Sequence, residues 1–169
     1  MAVTQRLPPK ARALIRRLGL LPHPEGGYYR EVYRSTDTVQ THRAKRCAVT
    51  TIYFLLVKGQ RSVLHRVTSD EIWHFYQGDP LELIDVSPDM RRVQNHRLGP
   101  TIESEKRGAK PVAVIEAHHW QAAATKGLYS LVGCSVAPGF EFSDFTLLRN
   151  DPKTRRRFER LQPKLLRWI

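Results

Sequence analysis

Cysteine is scarce in this chain, as are acidic residues and long apolar runs. Only Cys47 and Cys134 occur among 169 residues, too few to staple a small secreted fold. They are expected as two buried thiols in a reducing compartment rather than as a disulfide. No apolar run approaches the roughly 20 residues of a membrane span, and Met1 to Pro9 has no apolar stretch of the secretory kind. The expected location is therefore the cytoplasm, with no membrane partner. Asp and Glu number 16 against 28 Lys and Arg, a formal net charge of +12. A basic surface attracts phosphate, nucleic acid or anionic membrane. Here the excess sits at ends and loops: Arg12, Arg16 and Arg17, His42 to Arg46, Arg91 and Arg92, and above all Lys153 to Arg160. No helix-turn-helix, zinc-finger or base-stacking motif accompanies it, so nucleic acid is not the expected partner.

What is present fits one domain. The length buries a core without staples, and 41% hydrophobic with 26% charged residues is ordinary for a globular chain. Lys10 to Leu18 places Ala11, Leu14, Ile15 and Leu18 on one side of a short helix, which Gly19 ends. Leu20 to Gly27 is too rich in Pro and Gly for regular structure. Strand-like runs follow at 28–35, 49–57, 62–67, 71–77, 81–86, 93–98, 112–117, 129–136 and 145–148, separated by turn signals such as Gly78-Asp79-Pro80 and Pro138-Gly139. About nine short strands with such breakers predict an all-β sandwich or barrel, of which the jelly roll is one type. From Asp151 the chain turns helical, with Phe158, Leu161 and Leu165 on one face and Pro163 interrupting. The expected organisation is a helical extension over 1–19, a barrel over 20–150 and a basic helical tail over 151–169.

The run His65-Arg66-Val67-Thr68-Ser69-Asp70-Glu71-Ile72-Trp73-His74-Phe75-Tyr76-Gln77-Gly78 carries the chemistry. Side chains alternate faces along a strand, so Glu71, Trp73 and Phe75 share one face, and Val67 follows His65. With that face inward, a closed cup holds one imidazole and one carboxyl amid aromatic rings. Such surroundings raise a carboxyl pKa and move an imidazole's, which is how a general acid or base is poised. They also suit a ring-shaped ligand held by stacking. A second block, Glu116 to Thr125, contributes His118, His119 and Gln121. Gln121 is a poor ligand for transition metals, but adjacent histidines point opposite ways, so one of His118 and His119 faces inward. His23, His42 and His96 read as ordinary hydrogen-bonded imidazoles.

The first run has the spacing of the first cupin motif, with His65 at the first ligand place, Val67 at the second, Glu71 at the carboxylate place and Gly78 at the turn. The second block fits the second cupin motif, with Gln121 at its His place. Together with Leu20 to Glu31, Trp120 to Ala123, Tyr129 to Cys134 and Val136 to Phe142, these residues make the chain resemble the single-domain cupins catalogued as domain of unknown function 985. The resemblance runs from about Leu18 to Leu148. This chain departs from that pattern at Glu116 and His118, where Pro and Gly are usual. The resemblance implies a cupin jelly-roll β-barrel with short flanking helices, a homodimer, and a shape close to epimerases acting on deoxythymidine-linked keto-sugars. In those enzymes a barrel His removes a proton alpha to a ketone and a second acid donates one. His65 matches the base; no residue clearly matches the donor.

These readings give the expected function: a cupin binding a small anionic, sugar-like or nucleotide-like ligand in the barrel, with isomerase or epimerase chemistry. His65 is the expected base, and Glu71 or Tyr53 orients or donates. Glu25, Tyr28 and Arg30 at the barrel mouth, Trp73 and Phe75 on the wall, and His119 and Gln121 are the expected ligand contacts. Phe140, Phe142 and Phe145 are expected in the core. No cofactor is required. A divalent transition metal would rest on the incomplete set His65, Glu71 and His119. A non-catalytic ligand-sensing module is the alternative reading.

Overall fold

The computed structural model describes residues 7–101 and 108–169; residues 1–6 of the expected N-terminal extension lie outside them. Helix α1 (Pro9–Leu18) opens on a proline at its first turn and ends at Gly19 in the left-handed conformation. Leu20 N–H bonds back to Ile15 C=O at 2.9 Å to close the last turn. Its apolar stripe lies on the outer face of the larger sheet, where Ala11 and Leu20 are buried with Leu55, Val57 and Leu131.

Thirteen strands follow among the described residues: β1 (Leu21–Pro22), β2 (Tyr28–Arg34), β3 (Thr38–Gln40), β4 (Lys45–Cys47), β5 (Thr50–Val57), β6 (Ser62–Arg66), β7 (Asp70–Gly78), β8 (Leu81–Val86), β9 (Val93–Leu98), β10 (Val112–Ile115), β11 (Trp120–Thr125), β12 (Tyr129–Ala137) and β13 (Thr146–Leu147). They form a six-stranded sheet in the order β1-β2-β5-β12-β7-β10 and a five-stranded sheet in the order β13-β6-β11-β8-β9, with β3 and β4 as a separate hairpin. The non-consecutive neighbours are those of a jelly roll, so the expected all-β architecture is the one observed.

Three elements depart from the sequence reading. Leu21–Pro22, expected as loop, pairs with Tyr28–Tyr29. The basic run His42 to Arg46 belongs to the β3–β4 hairpin. Strand β11, absent from the strand-like runs of the sequence, lacks alternation because it is central. It lies between β6 and β8 with Ala122 and Ala123 buried on opposite faces, so apolar-polar alternation never arises.

One core fills the space between the sheets, around Phe54, Leu56, Trp73, Leu81, Leu83 and Leu98. A second lies outside the smaller sheet, where the tail docks. Asp151 caps helix α2 (Pro152–Leu161) by accepting the Thr154 N–H at 3.0 Å, and a 3-10 turn over Pro163–Trp168 follows. Phe158 and Trp168 are buried there against Leu64, Ile84, Val86 and Trp120. Among the described residues no helix is long and apolar enough to cross a membrane.

Candidate functional site

A cavity of about 270 Å³ opens between the sheets at one end of the barrel. His65 enters it from β6 and Glu71 from β7, as their spacing predicts, with Val67 beside them. Glu25 joins them from the β1–β2 turn. Gly26, at φ +106°, permits that turn: a Cβ there would stand 2.1 Å from Arg61 C=O.

The buried end of the cavity is a set of titratable groups in contact. His65 Nδ1 donates to Val63 C=O at 2.8 Å, which leaves Nε2 as the acceptor of the neutral ring. That Nε2 lies 3.2 Å from Glu25 Oε2, while Glu25 Oε1 accepts from Ser62 Oγ at 2.8 Å. Two acceptors at this distance require a proton between them. Burial supplies it: desolvation raises the Glu25 carboxyl to about 7, against the opposing effects of His23 and the Ser62 hydroxyl. Burial also lowers His65, outweighing the Glu71 charge and the Val63 carbonyl. His23 accepts the Glu25 backbone N–H on Nδ1 at 3.3 Å, and burial lowers it too. Its proton therefore sits on Nε2.

Glu71 is raised by burial, although Gln121 Nε2 donates to it at 2.5 Å and Cys134 hydrogen-bonds it. Gln121 is oriented in turn by Trp73 Nε1, which donates to its Oε1 at 2.9 Å. Cys134 lines the cavity, but burial and the two nearby carboxyls raise it far enough to keep it a neutral thiol.

The outer end is aromatic and ion-paired. Tyr29, Phe140, Phe142 and Phe145 surround the opening, with Phe145 5.3 Å from the His65 ring and Tyr29 4.5 Å from His23. Arg34, 38% exposed, binds Glu31 at 2.8 Å and Glu141 at 2.7 Å and also donates to Phe140 C=O. A bulge makes this possible. In β2, Glu31 pairs with Ile52 and Tyr33 with Thr51, so Val32 is extra and Arg34 regains the inward face.

The sequence-predicted residues divide accordingly. His65, Glu71 and Glu25 line the cavity; Gln121 and Trp73 stand behind Glu71 rather than on the wall. Phe75 packs at the edge of the inter-sheet core, away from the cavity. Tyr53 does not reach the site. Ile52 and Phe54 face inward, so alternation sends it outward against Tyr76 and α1. Tyr28 packs beneath α1, and Arg30 donates to Leu18 C=O at 3.1 Å. His119 is turned away, its Nδ1 2.7 Å from Asp85 Oδ1. His118 takes φ +68°, the left-handed conformation usual for glycine, and lies outside the cavity wall.

The set His65, Glu71 and His119 is thus not assembled. Val67 offers hydrocarbon at the second imidazole place, and Gln121 is committed at both ends. Among the described residues no group of three or more His, Cys, Asp or Glu is placed to hold a metal ion, so this donor set does not fit a resident metal.

The sequence reading missed His23, Cys134, Glu31, Arg34 and Glu141, and took Phe140, Phe142 and Phe145 for core. The closeness of His23 to Glu25 and the Phe-rich run from Phe140 were the available signals.

A double-sheet jelly roll enclosing a polar pocket at one end is the architecture of the cupin class. Residues 12–148 match the family described as cupin superfamily (DUF985), and the chain belongs to that family. A hypothetical protein from Leishmania major is 32% identical, with a TM-score of 0.79 over 92% of this chain and 97% of that one. A protein from Shewanella oneidensis is 33% identical, with a TM-score of 0.76 over 92% and 96%. Oxalate decarboxylase from Bacillus subtilis, 14% identical with a TM-score of 0.54, shares the fold over 75% of this chain and 29% of its own. No curated protein matches the chain.

Proposed function

We propose that the cavity binds one small, uncharged sugar in its open-chain carbonyl form and moves a proton on the carbon next to that carbonyl, as an isomerase or epimerase does. The observation that carries this reading is the 3.2 Å approach of Glu25 Oε2 to His65 Nε2, with the carboxyl raised to about 7, at the buried end of an aromatic-rimmed cavity. The volume of about 270 Å³ lies just below the usual range of ligand pockets, about 300–1,000 Å³. It suits a hexose, not a nucleotide-linked sugar. Among the described residues four carboxyl groups line it (Glu25, Glu31, Glu71 and Glu141), and one guanidinium, Arg34, is engaged by two of them. Among the described lining residues a phosphate would meet no free cation, which favours a neutral ligand over the anionic one expected from the sequence.

In the proposed step, Glu25 has first lost to solvent the proton it shares with His65, and it takes a proton from the carbon alpha to the carbonyl, which the pair then shares. The C–H electron pair moves into an enediolate, whose oxygen His23 Nε2–H stabilises. Glu71, its proton affinity raised by burial, returns a proton to carbon from its acid form, and exchange with solvent resets both carboxyls. No oxidant or reductant is consumed.

The test is incubation with five- and six-carbon aldoses and ketoses in D₂O, following loss of the alpha-proton NMR signal. The wild type is expected to exchange it, with a rate that rises through pH about 7 as Glu25 ionises. Glu25→Gln and His65→Asn are expected to slow exchange by about 10²–10⁴-fold. Unchanged exchange in both variants removes the pair from the mechanism. Thermal stabilisation by a sugar without exchange makes the barrel a sensing module.

A further inference from the structure

Residues 149–169 contain eight Lys or Arg and two Asp or Glu, half of the net +12 of the whole chain. Folding sets four of these cations, Lys153, Arg156, Arg157 and Arg160, on the exposed side of α2. Phe158 is fully buried in the tail's core. Arg156 and Arg160, two residues to either side of it, therefore project from the opposite side of α2, and Lys153 and Arg157 flank them. Glu159 is taken by Arg155 at 2.8 Å on the helix flank. The Lys and Arg ion pairs among the described residues belong to Arg34, Arg46, Lys126 and Arg155, so the outward cations of α2 have no carboxylate partner there.

The tail is also fixed to the β8–β9 turn. Arg157 donates to Asp89 C=O at 3.1 Å and Gln162 to Met90 C=O at 2.7 Å, which sets Arg91 and Arg92, both exposed, beside the helix. The Asp89 carboxylate, the acid within this patch, is tied down by the Ser87 hydroxyl and the Arg91 amide.

We propose that this face binds the phosphate backbone of a nucleic-acid duplex without regard to sequence. Arginine predominates, and its planar fork suits phosphate oxygens. From Lys153 to Arg160 the helix rises about 10 Å, close to three axial phosphate spacings of one strand. Phe158 of α2 is buried against the barrel, and only Leu161 on that helix and Leu166 after it are left as exposed large apolar side chains, too few for a bilayer-inserting face. Phe158 and Trp168 are buried, leaving no ring in the tail for bases to stack on, which favours a duplex over a single strand. The absence of a groove-reading motif in the sequence fits backbone contact alone.

Fluorescence anisotropy with a labelled 20-base-pair DNA duplex tests this, using the full-length chain. Five phosphate contacts give a slope of log affinity against log salt of about −4.5, a loss of about 500-fold between 50 and 200 mM KCl. The double variant Arg156→Glu, Arg160→Glu, and separately Arg91→Ala with Arg92→Ala, is expected to weaken binding and flatten the slope by about 1.8. Circular dichroism melts unchanged from wild type confirm the fold of these surface variants. Arg16→Glu with Arg17→Glu, on α1, is the control expected to bind as wild type. The proposal is overturned by no binding at 50 mM KCl, by equal loss in the α1 control, or by tighter binding to phosphatidylserine vesicles than to the duplex.

Discussion

Between the ordinary carboxylate value of 4.5 and the ordinary imidazole value of 6.5, an unfolded chain carries protons on His23 and His65 and none on Glu25 and Glu71. Burial in the folded site shifts each group the other way, raising both carboxyls, Glu25 to about 7, and lowering both imidazoles. A raised carboxyl alone loses stability as pH climbs from 4.5 through its folded value; a lowered imidazole alone loses it as pH falls below 6.5. With two of each, the opposed shifts offset one another, so the carboxyl and imidazole contributions to the pH dependence of stability carry opposite signs across that window. Glu25→Gln removes one folded-state proton. Relative to wild type, its stability is then expected to rise with pH by up to about 1.4 kcal/mol per unit between the ordinary value of 4.5 and about 7. Urea denaturation at several pH values measures this, and a variant with the pH dependence of wild type sinks the proton assignment. His65 and Glu71 were legible at this scale because a local motif places them. His23 and Cys134 were not, since their roles come from neighbours on other strands.

At the scale of elements, alternation tells which side chains share a face but not which face is the inside. Tyr28, Arg30 and Tyr53 were assigned inward from sequence, yet Tyr29, Ile52 and Phe54 hold those positions. The ambiguity arises because α1 covers the other face of the same strands, so both sides are partly apolar. The bulge at Val32 then changes the parity once more and delivers Arg34 to the cavity mouth. The β1–β2 turn is the most sensitive of these elements. Gly26→Ala forces a side chain onto φ +106° and against the Arg61 carbonyl. The strain alone costs about 1–3 kcal/mol, and the clash displaces Glu25. A lower urea midpoint, together with loss of the pH response assigned to Glu25, is the expected outcome; full retention of both shows that the turn does not position the carboxyl.

For the whole molecule, the tail is part of the folded body. Phe158 is fully buried between α2 and the smaller sheet, so Phe158→Ala is expected to cost about 3–5 kcal/mol. Chemical denaturation decides it, and a loss below about 1 kcal/mol means that the tail contributes little to the fold. The sequence by itself determined the barrel, because strand periodicity, turn residues and the two motif blocks are local patterns of hydrophobicity and backbone geometry. It also determined that one imidazole and one carboxyl belong to the interior. Only the tertiary structure decided that Glu25 shares a proton with His65, that the cavity is lined with acid groups, and that scattered basic residues gather on one face. Those facts depend on which segments meet when the sheets close, and burial then sets the protonation of whatever groups meet there.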